Sequence, residues 1–241
     1  MITLLENSAP VLGENLGFVE TKILSNFLAY KTAYPFLTFW QGKKHEKITS
    51  VICKFEDTVF LSVSDDADYN ELKDFLEVIG FSSIQAEVSV LERLGFSGYS
   101  KYVCLKLQNA CDGNKKPHAV NLKRLYDIIF EAQDKNLTPP EFDGWYADLS
   151  HRIRHSTAVA VMEETSGGAI ASHITPYSAV ISGVRVLKES RGQGKGTLLI
   201  KKLLNLLPGK TVYTATDCKT AKFYIKCGFN PIGEIGVFTK C

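Results

Sequence analysis

The feature that most constrains this chain is a glycine-rich turn, Arg191–Gly196, between two regular segments. Ala179–Val186 before it has the apolar pattern of a β-strand, and Thr197–Leu207 after it has the leucine spacing of an amphipathic helix. Glycines lack the Cβ atoms that hold an anion away from the backbone, and a helix N-terminus presents N–H groups with a favourable dipole. The turn therefore predicts a cradle for a phosphorylated ligand.

The glycine spacing argues against the two common nucleotide-binding motifs. A dinucleotide-binding turn needs Gly-x-Gly-x-x-Gly and an acidic residue about 20 positions later. Here the glycines alternate at 192, 194 and 196. A P-loop needs Gly-Lys followed by Ser or Thr, whereas Lys195 is followed by Gly196. A nucleotide-phosphate binder therefore remains only as a weaker alternative.

The turn does match the order Arg-x-x-Gly-x-Gly, with Val186 five residues before Arg191, and a second motif follows at Asp217–Phe229. Together these motifs resemble the acyl-coenzyme A loop and the Asn-x-x-Ala-x-x-Phe-Tyr-x-x-x-Gly-Phe motif of the GNAT superfamily of N-acetyltransferases. In this chain Asp217 takes the Asn position and Thr220 the Ala position.

The resemblance implies a coenzyme site spread over the strand, the turn and the following helix. Backbone groups of Val186–Lys188 would pair with the pantetheine arm, and the turn would bind the pyrophosphate. The thioester would lie in the gap between this strand and Thr211–Ala215, where a backbone N–H near Leu187 would face the oxyanion. The residues implied for the coenzyme are Val186, Leu187, Lys188, Arg191, Gly192, Gln193, Gly194, Lys195, Gly196, Thr197 and Asp217.

The resemblance also implies a catalytic residue, because Tyr224 matches the family tyrosine whose phenol faces the coenzyme sulfur. Tyr224 is therefore expected to return a proton to the departing thiolate, while its neighbour Phe223 is expected to pack under a sheet. Arg191 has a second interpretation, as a cap of the loop or a member of an ordinary ion pair. No residue stands out as the general base; the candidates are Glu163, Glu164, His173 and Asp217.

Two further groups of residues have alternative interpretations. His151 and His155 have the i, i+4 spacing of metal ligands, but no third ligand stands at zinc-site spacing, so no metal is implied. Four residues near a predicted helix would either line a pocket for a cationic amine or serve as ordinary core and surface, and the second interpretation is favoured. They are Trp145, Tyr146, Asp143 and Asp148.

Hydrophobic periodicity predicts the rest of the C-terminal half. Helices are expected at 121–133 and 142–153, and a hairpin at 157–162 and 169–174 turns at Gly167-Gly168. The five leucines expected to form the buried face of the helix after the loop are Leu198, Leu199, Leu203, Leu206 and Leu207. This order of elements is that of a GNAT domain.

The N-terminal half resembles a degenerate copy of the same plan. Its hairpin at 48–55 and 58–63 and its helix at 69–79 follow the same order, but Ser64–Tyr69 replaces the glycine loop with carboxylates that would repel a pyrophosphate. Leu91 stands where the other half has Tyr224. The predicted fold is α/β, with two GNAT-like domains in tandem, each a mixed β-sheet flanked by helices. The predicted boundaries are 1–108 and 119–241, with a linker at 109–118.

Composition bounds the partners and the compartment. A net charge of +2 gives no global attraction to nucleic acid or membrane, although 185–210 carries seven basic residues against one glutamate. The six cysteines show no Cys-x-x-Cys spacing, which favours free thiols in a reducing compartment. With no signal peptide and no apolar run of membrane-spanning length, a cytoplasmic protein is expected. A homodimer is left open.

Two classes of function follow from the sequence. The favoured one is an enzyme that transfers an acetyl group from acetyl-CoA to a primary amine of a small molecule or protein. The alternative is a non-catalytic module that binds and senses acyl-CoA. The acceptor is left undetermined, because a shared fold does not select a substrate.

Overall fold

The computed structural model describes residues 1–13, 15–109, 119–131 and 139–240, which form two compact units. The first unit comprises Met1–Leu105, Ala215–Ile225 and Asn230–Cys241, and the second comprises Lys106–Thr214 and Lys226–Phe229. The strands are β1 (Ile2–Leu4), β2 (Leu37–Lys44), β3 (Lys47–Phe55), β4 (Thr58–Val63), β5 (Ser83–Glu87), β6 (Ser100–Gln108), β7 (Val159–Glu163), β8 (Gly167–Ile174), β9 (Ser178–Val186), β10 (Thr211–Thr216) and β11 (Asn230–Thr239). The helices are α1 (Phe18–Tyr30), α2 (Tyr69–Ile79), α3 (Val88–Arg93), α4 (Leu122–Glu131), α5 (Phe142–Arg154), α6 (Lys195–Leu204) and α7 (Cys218–Lys226).

The first unit is built on antiparallel strands joined by tight turns. The predicted hairpin is confirmed as β3 and β4, which pair from Ser50↔Val63 to Phe55↔Thr58. The parallel pair of β4 with β5 is short, covering Thr58–Phe60 against Ser83–Gln85. The last strand of the chain, β11, pairs antiparallel with β5, so C-terminal residues complete this sheet. Its core lies between the sheet and α2, where the apolar face of that helix buries Leu72 and Leu76.

The second unit carries the antiparallel strands β7, β8 and β9, followed by β10 parallel to β9. The register of β8 against β9 shifts twice, which leaves Ser172 and Ser182 without a partner in the ladder. Extra residues of this kind bend a strand and increase its twist. Helix α4 packs on β8 through Leu125, which lies at the space that a Cβ of Gly168 would occupy.

The structure corrects one predicted turn. Gly167 and Gly168 belong to strand β8, opposite Glu163 and Met162, and do not form the turn of the hairpin. The turn consists of residues 164–166. The glycines are required for another reason, because Gly167 has a φ of 156° and Gly168 must admit the Leu125 side chain.

The predicted α/β class is confirmed, and the element order of the chain repeats. One helix, three strands, one helix, one strand, one helix and one strand follow each other from α1 to β6 and again from α5 to β11. The predicted domain boundaries remain a prediction. The predicted linker 109–118 lies outside the described residues except for Asn109, whose amide nitrogen donates to the carbonyl oxygens of Leu204 and Leu207 at 2.8 and 2.6 Å.

Candidate coenzyme and active site

The glycine-rich loop lies where the sequence predicts it, between the end of β9 and the start of α6. A short 3-10 turn at Lys188–Ser190 leads into it. Gly192 and Gly194 have φ values of 74° and 75°, a left-handed conformation that residues with a Cβ rarely adopt. A Cβ at either position would meet nothing within 4 Å. The loop therefore needs these glycines for their backbone conformation, and the space beside them is open.

Two side chains of the loop hold its backbone. Arg191 donates from Nε to the carbonyl oxygen of Val186 at 3.1 Å, and Gln193 donates from Nε2 to the carbonyl oxygen of Glu189 at 3.0 Å. The contact of Arg191 agrees with its second interpretation, as a cap of the loop. These bonds fix the approach of the chain to α6.

Helix α6 begins without a side-chain cap. Its N-cap residue is Gly194, which offers no side-chain oxygen, and the first intrahelical bond runs from the N–H of Leu198 to the carbonyl of Gly194 at 3.1 Å. The first N–H groups of a helix have no partner within the helix and carry the positive end of its dipole. This helix start can therefore accept an anion from outside the chain.

The strands β9 and β10 stop pairing where the resemblance to the GNAT family implies a gap. The two strands pair only at Ser178–Val180 and Thr211–Tyr213, so the second half of β9 has no β10 partner. The hydroxyl of Thr214 donates to the carbonyl oxygen of Ile181 at 3.1 Å, just where the ladder ends. Beyond this point β9 bulges at Ser182. The edge of β9 along this stretch faces no strand within the described part of the second unit.

The backbone N–H of Leu187, expected near the oxyanion, has a partner in this structure. It donates to the carbonyl oxygen of Ser166 at 2.8 Å. Nothing in the sequence marks Ser166, because the contact depends on the turn between β7 and β8. The Leu187 N–H is thus used to join the end of β9 to that turn.

Thr197 lies in the first turn of α6 and contacts a cysteine. Its Oγ1 lies 3.9 Å from Sγ of Cys227. Burial raises the pKa of the Cys227 thiol, while the Thr197 hydrogen bond and the nearby charge of Lys201 oppose that rise. The thiol is therefore protonated at neutral pH. The described cysteines Cys53, Cys104, Cys218 and Cys227 are all free thiols.

Asp217 and Tyr224 are both placed by helix α7, whose residues up to Ile225 belong to the first unit. Oδ1 of Asp217 accepts from the N–H groups of Lys219 at 2.8 Å and Thr220 at 3.0 Å, which makes it the N-cap of the helix. Hydrogen bonds from Thr220 hold the pKa of Asp217 below its usual range. Tyr224 is 5% exposed, and its ring centroid lies 5.1 Å from that of Phe223.

The corresponding loop of the first unit is closed by its own side chains. Oδ1 of Asp68 accepts from the N–H groups of Asn70 at 3.1 Å and Glu71 at 3.0 Å, at the start of α2. Where β4 and β5 diverge, the hydroxyl of Ser62 donates to Oε1 of Glu20 at 2.5 Å. Burial, and then the charges of Glu20 and Asp65, raise the pKa of Glu87. This half therefore presents carboxylates where the other half presents glycines.

Burial also shifts the pKa of a thiol near those carboxylates, and the shift is large. It raises the pKa of Cys104 to about 12, and the charges of Glu87 and Glu20 add to it. The neighbouring ammonium of Lys22 donates to Oε1 of Gln85 at 2.5 Å and lies over the rings of Phe18 and Phe60. Polar side chains of α1 thus contact β4 and β5.

The candidate bases do not converge. Glu163 forms an ion pair with Lys202, and Nδ1 of His173 lies 2.7 Å from the hydroxyl of its neighbour Ser172. Glu164 lies in the exposed turn before β8. The rings of His151 and His155 stack at 4.2 Å, but the described residues contain no group of three or more His, Cys, Asp or Glu side chains placed to hold a metal ion. No helix among the described residues is long and apolar enough to cross a membrane.

Comparisons with known proteins agree with this geometry. Residues 121–229 match the model of the Acetyltransferase (GNAT) family, so this part of the chain is similar to a GNAT acetyltransferase domain. It contains both motifs on which the resemblance depends.

Solved structures extend the likeness to the whole chain. A tandem GNAT protein from the clavulanic acid biosynthesis pathway has a TM-score of 0.55 at 13% identity, over 96% of this chain and 89% of its own. A GCN5-related N-acetyltransferase from Sphaerobacter thermophilus has a TM-score of 0.56 at 12% identity, over 92% of this chain and 85% of its own. A GNAT-family acetyltransferase from Colwellia psychrerythraea has a TM-score of 0.50 at 10% identity, over 100% of both chains. At these identities the likeness shows the fold, here a tandem GNAT fold. A comparison with curated proteins finds no match.

Proposed function

We propose that the chain is an N-acetyltransferase that moves the acetyl group of acetyl-CoA to a primary amine. The family match supports acetyl transfer in general, and the proposal adds the coenzyme and the nature of the acceptor. Binding is assigned to Val186–Lys188, to the loop Arg191–Thr197 and to Asp217. The chemistry is assigned to the gap between β9 and β10.

The observation that carries the proposal is the difference between two helix starts. Asp68 fills the anion position at the start of α2 with its own carboxylate, whereas Gly194 leaves that position open at the start of α6. Lys188, Arg191 and Lys195 add positive charge around the open position. A pyrophosphate satisfies both the N–H groups and this charge.

The open edge of β9 supports the second part of coenzyme binding. The backbone ladder between β9 and β10 ends at Val180 and Tyr213, so an extended pantetheine arm can pair with the edge of β9 beyond Ile181 as an added strand does. Because the ladder ends at Tyr213, the arm would enter the gap that separates the strands. The residues Val186–Lys188 lie at the loop end of this edge.

The reaction itself is an exchange of one bond for another. The thioester supplies an activated acetyl carbonyl, and the acceptor nitrogen attacks it as a free amine. A C–N bond forms, the C–S bond breaks, the nitrogen loses a proton and the sulfur gains one. Since an alkylamine has a pKa of about 10.4, its proton must leave before attack, through a base or a chain of water molecules.

Tyr224 is assigned as the group that protonates the departing sulfur. A phenol can donate a hydrogen bond, and the residue is held by a helix whose first turn is capped by Asp217. A helix with a fixed start places a side chain two turns later in a defined direction. Asp217 therefore supports Tyr224 through the helix in addition to its assigned place in the coenzyme site.

Acetyl transfer to a panel of primary amines tests the proposal. Because Cys218 is an exposed free thiol, coenzyme A release should be followed by chromatography, and not with a thiol reagent. We expect stoichiometric coenzyme A and N-acetylated amine with at least one acceptor. Tight acetyl-CoA binding without transfer to any acceptor would favour the sensing module and contradict the enzyme.

A further inference from the structure

A cluster of five aromatic side chains on α4 and α5 has no role in the coenzyme site. Tyr126 is its centre, with ring centroids at 4.8 Å from Phe130, 5.1 Å from Phe142 and 5.2 Å from Trp145. Tyr146 extends the cluster, 5.6 Å from Phe142, and is 46% exposed. The other four rings are half-buried. We call these five residues the aromatic face.

The geometry of α4 explains why Tyr126 and Phe130 lie on a different side of this helix from the residues that pack on the sheet. Leu125 and Ile129 lie four residues apart and pack against Gly168 of β8 and Gly183 of β9. Tyr126 and Phe130 each follow one of them, about 100° further round the helix, because an α-helix has about 3.6 residues per turn. The helix that packs on β9 therefore carries the aromatic face on another side.

A lysine of the chain itself lies over this face. The ammonium of Lys123 lies 4.5 Å from the ring centroid of Phe142 and 5.5 Å from that of Tyr126. It also forms an ion pair with Asp127 at 3.3 Å. Cations are attracted to the negative faces of aromatic rings. The face is thus suited to an ammonium group, and Lys123 is exposed enough to give way to another one.

We propose that the aromatic face holds a non-reacting ammonium group of the acceptor, so that the preferred acceptor carries at least two amino groups. This inference rests on the proposed function. An aromatic face stabilises the charged form of an amine, whereas acetyl transfer needs the uncharged form. The amine that it holds is therefore a different one from the amine that attacks the thioester. Carboxylates at Glu141 and Asp143, on either side of Phe142 in the sequence, add to the attraction of a cation.

Binding is tested first with tetramethylammonium, which has no N–H group and cannot be acetylated. The chain has two tryptophans, so Trp40→Phe leaves Trp145 as the only indole reporter. In this background we expect saturable quenching of Trp145 by tetramethylammonium and none by 2,2-dimethylpropan-1-ol, a neutral molecule of similar shape. Equal quenching by both molecules, or no quenching, would overturn the proposal.

Two variants move this binding in opposite directions. Lys123→Met removes the competing ammonium but keeps the aliphatic chain, and we expect about threefold tighter binding of tetramethylammonium. Phe142→Leu removes a ring and should weaken tetramethylammonium binding by a similar factor. Lys106→Met, an exposed lysine on β6, is the charge-matched control and should leave binding unchanged. If Lys106→Met tightens tetramethylammonium binding as much as Lys123→Met does, the gain comes from the change in net charge, and the proposal is wrong.

The acceptor preference is tested with 1,4-diaminobutane against n-butylamine, which has the same carbon chain and one amino group. We expect a higher kcat/KM for the diamine, and Phe142→Leu should lower the ratio of the two kcat/KM values to about one, because only the diamine has a second ammonium group for the ring to hold. A preference that persists in Phe142→Leu would overturn the proposal. Absence of transfer to either amine, with tetramethylammonium still bound at Trp145, would count against the proposed function and support the ammonium site.

Discussion

The two halves of this chain repeat the same elements but treat one position differently. Each half has a parallel strand pair of three residues that then diverges, and each places a loop and a helix after the first strand of that pair. In the N-terminal half the side chain of Asp68 caps the helix start. In the C-terminal half the helix starts at Gly194, which has no side chain to cap it. The comparison teaches that the element order alone does not make an anion site. The capping residue decides whether the chain or a ligand supplies the negative charge.

The largest expected effect comes from giving the C-terminal half the chemistry of the N-terminal one. Gly194→Asp places a carboxylate at the start of α6, where it repels the pyrophosphate and caps the helix itself. We expect coenzyme affinity to fall by about 100-fold, which corresponds to roughly 2.7 kcal/mol. Titration calorimetry with coenzyme A measures it.

Gly194→Asn is the matched control, since it has the shape of the aspartate without its charge. Asparagine tolerates the left-handed conformation at this position, and a Cβ there meets nothing within 4 Å. Its affinity should fall only a few-fold. Equal losses in the two variants would show that the shape of the loop matters and the charge does not.

The second prediction concerns the position at which the halves carry Tyr224 and Leu91. Tyr224→Phe removes the proton donor assigned to the departing thiolate, and we expect the turnover number to fall by about 100-fold with little change in coenzyme affinity. Steady-state kinetics over a pH range measures it. Leu91→Met, at the counterpart position of the first unit, is a volume-conserving control expected to keep the turnover number. A Tyr224→Phe enzyme with normal turnover would remove this residue from the mechanism.

The sequence predicts the repeated elements better than the contacts that distinguish them. The loop, β9 and the hairpin of β3 and β4 are marked by glycines and by periodicity, and they lie where expected. The sequence predicts five leucines on the buried face of the helix after the loop, but Leu198 is 40% exposed, Ile200 is buried, and α6 ends at Leu204, before the last two of these leucines. The buried residues Leu199, Ile200 and Leu203 share one face because Leu203 follows the other two by four and three positions. The bond between Leu187 and Ser166 joins two segments distant in sequence, so no local pattern predicts it.

The third prediction compares the two aspartate caps. Asp217→Ala and Asp68→Ala each remove two hydrogen bonds from a helix start, and each should lower the free energy of unfolding by about 1 kcal/mol. Asp217→Asn and Asp68→Asn keep the capping oxygen and should be close to the wild type. Chemical denaturation measures the stabilities.

Only the Asp217 cap should also affect catalysis, because only α7 carries Tyr224. We expect Asp217→Ala to lower kcat and Asp217→Asn to restore it. The lowered pKa of Asp217 adds a pH test, since stability contributed by the carboxylate is present above its unfolded pKa and is lost as the pH falls through the folded one. Asp217→Asn should lack this loss. A kcat that falls equally in Asp68→Ala would show that the effect is one of general stability.

The smallest expected effect concerns Glu87 and the nearby carboxylate of Glu20. The pKa of Glu87 is raised in the folded protein, so the folded state holds its proton more tightly than the unfolded chain does. Stability linked to this group is therefore greatest below its unfolded pKa and falls as the pH rises through the folded pKa. Glu87→Gln should remove that fall and stabilise the protein at pH 7 by about 0.5 kcal/mol or less, because the residue is exposed and solvent screens its charge. Thermal unfolding from pH 4 to pH 8 measures it. If the wild type and Glu87→Gln lose stability equally as the pH rises, the effect belongs to a group other than Glu87. Glu20→Gln, which removes the carboxylate bound to Ser62, would then test whether that group is Glu20.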